Sequence, residues 1–568
     1  MKEKKINKIE RLKLSLNPYY YKERLDTLKV ESLEESDRFY LKNFGIYNHK
    51  LRPQKFILRV RISGGRLSFA AFSELLKMAR YADSRVIVTS RAQIELHDLD
   101  LETALKYMKQ VEELGLTSWQ TYTDNIRNIV TDPLDGIGED SLIEVYGAIK
   151  KMERIFLKRV NYTGMLPRKF NVAINGSICS KIPFFGNDLY FLPAEKDGEI
   201  GFKAYVGGKN GIVAKDLDIF CFLEDVPDLF EAVVESYMEY GLRASRTKSR
   251  LFHLIEDIGL AKFRSLLLRR YDKEPIQGGV PLFERFDRRG SSFILKDGKR
   301  AMLYRSRFGE LEQKQAEEIV EICEEYGVEE LRLGCDQNIY IPGLLEDIEL
   351  KNSFYGYSAV TVCAGSKYCV YSLFDTKEES GKLQLERAKR MGVTIGFSGC
   401  LKGCARHALS DIGFVGIRTG LYGEKAERGV RLYLGAEYTR GKSAGRLILY
   451  AVPLRCINRM IELILSIFQK SGFENFEEFS ARVLNRYSSE ALAFWLLLNY
   501  YRMEISKKRE IVLPEQSSHS DEKGYFAKIV KEDSIDEERE LAALLEAEEE
   551  FPFREAIIYL EKASFAVR

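Results

Sequence analysis

Apolar and polar positions alternate along Phe56–Arg61, and further on Phe72, Leu75, Leu76 and Ala79 recur three and four residues apart. The first pattern predicts a strand and the second a helix with one apolar face. A further strand is predicted over Arg85–Leu96. The same succession returns later: a strand at Met302–Arg307, a helix carrying Ala316, Ile319, Val320 and Cys323, and a strand at Leu331–Ile341. Each copy reads strand–helix–strand, half of a ferredoxin-like sandwich, and two halves are able to pair into one sheet.

A second repeat is finer. Phe170–Ser177 leads to Asn187–Phe191, and Val393–Cys400 leads to Ser410–Phe414. Gly176 to Asp188 and Gly399 to Asp411 are both twelve residues apart, and the copies then reach strands ending at Gly207 and Gly435. Only the second copy carries paired cysteines; the first carries Arg168, Lys169 and Asn171 instead. Beyond about residue 470 the pattern is helical and rich in charge, with Pro514 and Gln516–Lys523 as a linker. Asp536–Glu550 is acidic with Arg539 its one cation, and reads as a solvated helical appendix, with a docking surface as the alternative.

Composition narrows the class. A chain of 568 residues, 45% hydrophobic and 30% charged, suits a multidomain globular protein. A net charge of +2 implies no general attraction to nucleic acid. The basic N-terminus lacks an apolar core, so no secretory signal is expected. The run Ala491–Leu498 is too short to span a bilayer and predicts a buried helix. Nine cysteines make no disulfide scaffold and suit a reducing cytoplasm.

Four of the nine form a pattern: Cys363-x5-Cys369, a gap of about thirty residues, then Cys400-x3-Cys404. Two loops bringing in paired thiolates can hold a cubane iron–sulfur cluster. Structural zinc is the rival, with His407 as a tempting ligand, although x5 is loose for it. Cys179, Cys221, Cys323, Cys335 and Cys456 read as packed thiols without a ligand role.

The segments FILRVRISGG (56–65), TSRAQIELH (89–97), DNIRN (124–128), LPRKFN (166–171), NDLYFLPA (187–194), YVGGKNG (205–211) and SGCLKGC followed by DIGFVG (398–416) together resemble the siroheme-dependent nitrite and sulfite reductases, from about Asp37 to Tyr487. The resemblance implies an α+β, pseudo-twofold fold with paired ferredoxin-like halves, two siroheme-binding lobes and a helical C-terminal extension. It places the first half at 37–123, the first lobe at 124–270, the second half at 271–355, the cluster lobe at 356–470 and the extension at 471–568. It also implies that Cys363, Cys369, Cys400 and Cys404 bind a [4Fe-4S] cluster, with Cys404 bridging to siroheme. Arg59, Arg127, Lys169 and Asn171 are the expected substrate residues, and Arg91 and Arg168 are expected to meet siroheme carboxylates. Arg61 lies two residues past Arg59 and is able to share its face; His97 is expected either to pack or to touch the haem.

An anion whose oxygens leave as water needs cations that bind it and organise protons. Sulfite reductases of this family typically read R-K-F-K where this chain has Arg168-Lys169-Phe170-Asn171. One cation fewer suits the monoanion nitrite better than sulfite, largely a dianion near neutral pH. The expectation is a six-electron reduction of nitrite to ammonia, with sulfite reduction as the alternative. A metal-stabilised structural or sensor protein is the non-enzyme alternative; it predicts loss of the pocket cations, which are present. Without a dinucleotide fingerprint, the electrons are expected from reduced ferredoxin or another low-potential protein, delivered to a cytoplasmic monomer. Lys402, where relatives usually carry asparagine, adds a positive charge beside the cluster.

Overall fold

The computed structural model describes residues 6–49, 52–179, 184–284, 287, 289–354, 360–419 and 427–505. The chain divides into two compact units, Met1–Ser358 with Thr439–Gly441, and Ala359–Tyr438 with Lys442–Arg568. The fold is α+β.

In the first unit the duplicated halves build two five-stranded sheets. One runs Ile46–His49, Arg52–Val60, Ile94–Leu99, Val86–Val88, Glu310–Leu311; the other runs Ser292–Ile294, Arg300–Tyr304, Ile339–Leu344, Glu330–Leu333, Arg66–Ser68. The last strand of each sheet comes from the other half: Leu311 pairs with Val86, and Leu67 with Leu331. The halves therefore do not merge into one sheet. Each lends the other a strand that covers an edge otherwise left with unpaired N–H and C=O groups.

The stretch Arg85–Leu96, expected as one strand, is a hairpin. Val86 faces Leu96 and Val88 faces Ile94, and Ala92 turns the chain at φ +50°. Thr89 makes the turn, its hydroxyl accepting from the N–H groups of Arg91 and Gln93. Leu331–Ile341 folds the same way, with Gln337 at φ +70°. Alternating patterns on both arms concealed the turns, which contain no Pro.

The helices follow their apolar spacing. Phe69–Tyr81 starts at Ser68, whose hydroxyl accepts from the Ala71 N–H at 3.3 Å, and buries Phe72, Leu75 and Ala79. Gln313–Tyr326 opens with a capping box of Glu312 and Gln315 and buries Ile319 and Cys323. Both helices feed one apolar core with Ile94, Leu96, Leu333 and Ile339. Each such fully buried side chain contributes about 1.5–3 kcal/mol.

The finer repeat becomes a shared sheet opening. In the first unit Val172–Ile174 runs parallel to Leu189–Lys196, which continues antiparallel into Glu199–Val206 and Lys215–Cys221. In the second unit Val360–Val362, Ile395–Ser398 and Ile412–Thr419 are parallel, followed by antiparallel Glu427–Leu434 and Arg446–Pro453. Val172 faces Leu189 as Ile395 faces Ile412. The repeated aspartates clamp these openings: Asp188 accepts from the Asn171 N–H and Asp411 from the Thr394 N–H, each at 2.8 Å.

Among the described residues, the last helices of the second unit are Ile457–Lys470, Phe476–Arg482 and Ser489–Ile505. The apolar run at 491–498 lies on the last of these and is buried from Ala491 to Leu497. The linker at 516–523 and the acidic run at 536–550 lie outside the described residues. Among the described residues no helix is long and apolar enough to cross a membrane.

Candidate active site

Three of the expected arginines, Arg59, Arg91 and Arg168, gather around the fourth, Arg127. The strand Arg52–Val60 presents Arg59, whose Nε donates to Glu95 Oε1 at 2.6 Å and whose guanidinium lies 3.8 Å from the Tyr122 ring centre. Glu95 also accepts from the Tyr122 hydroxyl at 2.7 Å and meets His97 Nε2 at 2.9 Å. Burial pushes the Glu95 carboxyl up, but Arg59, His97 and Tyr122 outweigh it and hold it well below the usual carboxylate range. His97 is buried and meets Glu95 Oε2, leaving Oε1 to Arg59.

Arg127 is tethered through backbone carbonyls, Nη1 to Thr121 at 2.6 Å and Nη2 to Thr123 at 3.0 Å, and its buried Nε–H has no partner among the described residues. Burial first, then repulsion from Arg59, Arg168 and Arg91, drives its pKa well below the ordinary guanidinium value, with Asp124 opposing. An arginine stays protonated all the same. The mismatch is held as unfavourable charge, which a bound anion would relieve.

Arg91 is fixed by Asn187 Oδ1 at 3.0 Å and by the carbonyls of Asn128 and Val172 at 2.6 and 3.1 Å. Arg168 lies 3.4 Å from Asp124. Lys169 and Asn171 follow it on the way into Val172–Ile174, both half-buried, and the Asn171 carboxamide makes no hydrogen bond among the described residues.

Arg61, unlike Arg59, is almost wholly enclosed and is spent on backbone carbonyls. It is 2% exposed, and its guanidinium donates to the carbonyls of Arg127, Gln120 and Ile126 at 3.0, 3.2 and 2.8 Å. It braces the loop that carries Arg127.

Several supporting residues escaped the sequence reading. Asp124 is fully buried and joins Lys13 at 2.8 Å, Arg246 Nη2 at 2.8 Å and Arg168. Burial raises the Asp124 carboxyl, but Lys13, Arg246 and Arg168 prevail and hold it at about 2. Arg250 grips Asp188 with Nε to Oδ1 at 2.8 Å and Nη2 to Oδ2 at 2.6 Å. The run of cations at Arg243, Arg246, Lys248 and Arg250 was the available signal. Lys13 sits in an N-terminal segment that read only as basic, and nothing local marks it as buried.

The second unit brings the two cysteine loops together. Gly399 permits the approach: a Cβ there would lie 1.9 Å from Ser372 Oγ. Leu373 N–H then donates to the Gly399 carbonyl at 3.2 Å, and the Gly399 N–H donates to Cys363 Sγ at 3.1 Å. Backbone N–H groups of Tyr371 and Ser372 serve Cys369, and that of Lys402 serves Cys400. Cys404 acts electrostatically on the other three. Burial pushes the Cys363 thiol up to about 11 and raises Cys369 and Cys400 as well. Only a bound cationic centre would keep such thiols ionised.

Among the described residues no three His, Cys, Asp or Glu side chains close to the reach of a single metal ion. A cubane is wider than one ion and takes a wider thiolate ring. His407 is buried, with Nδ1 at 3.2 Å from Ser398 Oγ and its ring 4.8 Å from that of Tyr433. Burial lowers it to about 4, and it packs beneath the loop. Cys221, Cys323, Cys335 and Cys456 are buried, and Cys179 is half-buried.

Comparison with known proteins decides the family. The model of the nitrite and sulphite reductase 4Fe-4S domain matches residues 122–275, and that of the nitrite/sulfite reductase ferredoxin-like half domain matches 49–114 and 294–348. A ferredoxin–nitrite reductase from Leptolyngbya laminosa is 30% identical over 79% of this chain and 94% of its own length. The chain belongs to the nitrite and sulphite reductase family.

A ferredoxin-dependent sulfite reductase from Mycobacterium tuberculosis is 26% identical over 72% of this chain and 82% of that protein. The solved structure of Mycobacterium tuberculosis NirA has the same fold, with a TM-score of 0.76 and 22% identity, covering 86% of this chain and 97% of that one. The family's cofactors are siroheme and a [4Fe-4S] cluster. The N–H-lined thiols fit the cluster, and the arginine group with its orphaned Arg127 Nε fits an anionic partner such as a carboxylate-rich macrocycle or an oxyanion. The domain model that carries the cluster in its name matches the lobe that bears the cations, as expected where two lobes share one ancestry.

Proposed function

We propose that this enzyme reduces nitrite to ammonia with six electrons taken singly from reduced ferredoxin. The observation that carries the reading is the arginine group around Arg127, whose member Arg168 is followed three residues later by a neutral Asn171. Siroheme and a [4Fe-4S] cluster, once bound, would supply the electrons one at a time.

The chain's own residues do the rest. Arg127 and Lys169 hold the anion's oxygens and stabilise negative charge as electrons arrive. Arg59 is partly neutralised by Glu95, so it orients without adding a full free charge. That lowered field, with Asn171 neutral, favours a monoanion over a dianion. Arg91 and Arg168 bind the macrocycle's carboxylates. Cys363, Cys369, Cys400 and Cys404 would hold the cluster. In this reading the cation-bearing lobe spans 124–270 and the cluster lobe 356–470, and the enzyme works as a cytoplasmic monomer. The relatives named ferredoxin–nitrite reductase from Leptolyngbya laminosa and Arabidopsis thaliana support nitrite and ferredoxin.

Sulfite reduction is the second reading, favoured by the Mycobacterium tuberculosis relative. Anaerobic turnover of one preparation with reduced ferredoxin separates the two. The expected result is a higher kcat/KM for nitrite, narrowed by Asn171→Lys; a preference for sulfite overturns the assignment. Arg127→Leu is expected to lower kcat/KM for nitrite by about 10²–10³-fold.

A further inference from the structure

Lys402 and Tyr371 stand on different cysteine loops, one between Cys400 and Cys404 and the other just after Cys369. Each donates its backbone N–H to the cysteine of its own loop, Lys402 to Cys400 and Tyr371 to Cys369. Their side chains meet: Lys402 Nζ lies 2.8 Å from the centre of the Tyr371 ring. Both are exposed, Tyr371 by 54%, beside Leu401, which is 64% exposed. Two loops that place ligands on one centre are thus tied together at the two residues that hydrogen-bond those ligands.

We infer that Lys402 and Tyr371 form a clasp that fixes a positive charge at the solvent edge of the cysteine cradle and raises the reduction potential of the cluster held there. The inference rests on the reading that the four cysteines carry the [4Fe-4S] cluster. An unattached lysine on a surface loop samples many rotamers, and salt screens it from anything farther than a Debye length. Stacked on an aromatic face, the ammonium keeps one position. From there its charge stays beside the loop that carries Cys400 and Cys404. A cluster that gains an electron gains negative charge, so a fixed cation stabilises the reduced form. The N–H donors act in the same direction, and the clasp holds two of them in place.

The test is an EPR-monitored redox titration of the holoenzyme. Lys402→Met is expected to weaken the cluster's electron affinity about threefold, a fall of about 30 mV at 59 mV per tenfold for one electron. Lys402→Arg is expected to keep the parent value. Tyr371→Leu retains the charge but removes the ring beneath it, so its potential is expected to fall part of the way and to depend more steeply on salt. A Lys402→Met midpoint equal to the parent's overturns the clasp. So does a Lys402→Arg midpoint as low as that of Lys402→Met, because packing rather than charge would then be responsible. A parent enzyme with no EPR-active cluster after reduction overturns the cysteine reading and the clasp with it.

Discussion

The lobe that opens at Val172–Ile174 and the lobe that opens at Ile395–Ser398 share a parallel strand pair in the same register, yet they satisfy their buried aspartates differently. Asp188 takes a bidentate guanidinium from Arg250. Asp411 takes the Thr394 hydroxyl at 2.9 Å and the Tyr438 hydroxyl at 3.3 Å. The first lobe continues this reliance on charge through Asp124, Lys13, Arg246 and Arg168. The second turns instead to N–H groups aimed at sulfur. After the same strand, Ser177 stands where the other lobe has Cys400, and the Ser177 hydroxyl is buried without a partner among the described residues. One scaffold has thus been kept for its clamp and loaded twice, with cations on one copy and thiols on the other. The thiols stand in loops that follow strands and Lys169 and Asn171 in the segment that leads into one, and the clamps hold these segments in place.

The largest effect separates the two loads. Cys363→Ala is expected to abolish the cluster's absorbance and EPR signal and to bring turnover to background, whereas Ser177→Ala leaves the cluster intact. Iron and sulfide analysis of the purified variants checks this. Equal loss in both variants would break the division of labour between the lobes.

The clamps come next. Asp188→Asn leaves the Arg250 guanidinium buried without its carboxylate and is expected to cost about 3–5 kcal/mol. Asp411→Asn weakens the hydrogen bonds from the Thr394 N–H and hydroxyl and from the Tyr438 hydroxyl and is expected to cost about 1–3 kcal/mol. Urea unfolding of the two variants measures the difference, and equal losses would show that the charge on Arg250 adds nothing.

The smallest effect is a pH dependence carried by Asp124 in the charged lobe. Asp124 titrates at about 2 in the folded protein, below the ordinary aspartate value of about 3.9. Its contribution is therefore fully present above about pH 4 and is lost as pH falls through about 2, a loss of about 2 kcal/mol. Asp124→Asn is expected to flatten the stability profile across that window while lowering stability at pH 7. An unchanged slope in acid denaturation would contradict it.

Local patterns carried much of this protein. Periodicity predicted the helices at Phe69–Tyr81 and Gln313–Tyr326, because apolar spacing and caps are properties of neighbouring residues. The Gly-to-Asp interval marked both clamps, because a parallel strand pair sets the distance at which one carboxylate reaches back to a backbone N–H. The cysteine spacing and its flanking glycines showed two loops able to approach closely. What the sequence alone could not decide was which cations are free to act. Arg59 and Arg61 look equivalent two residues apart, yet only packing turns Arg61 onto three carbonyls and sets Glu95 against Arg59. Nor could it show that each ferredoxin-like half lends the other a strand, or that Lys13 reaches Asp124, more than a hundred residues away. Local order follows from neighbours in the chain. The charge state and orientation of a buried group follow from everything packed around it, and that set is assembled only when the chain folds.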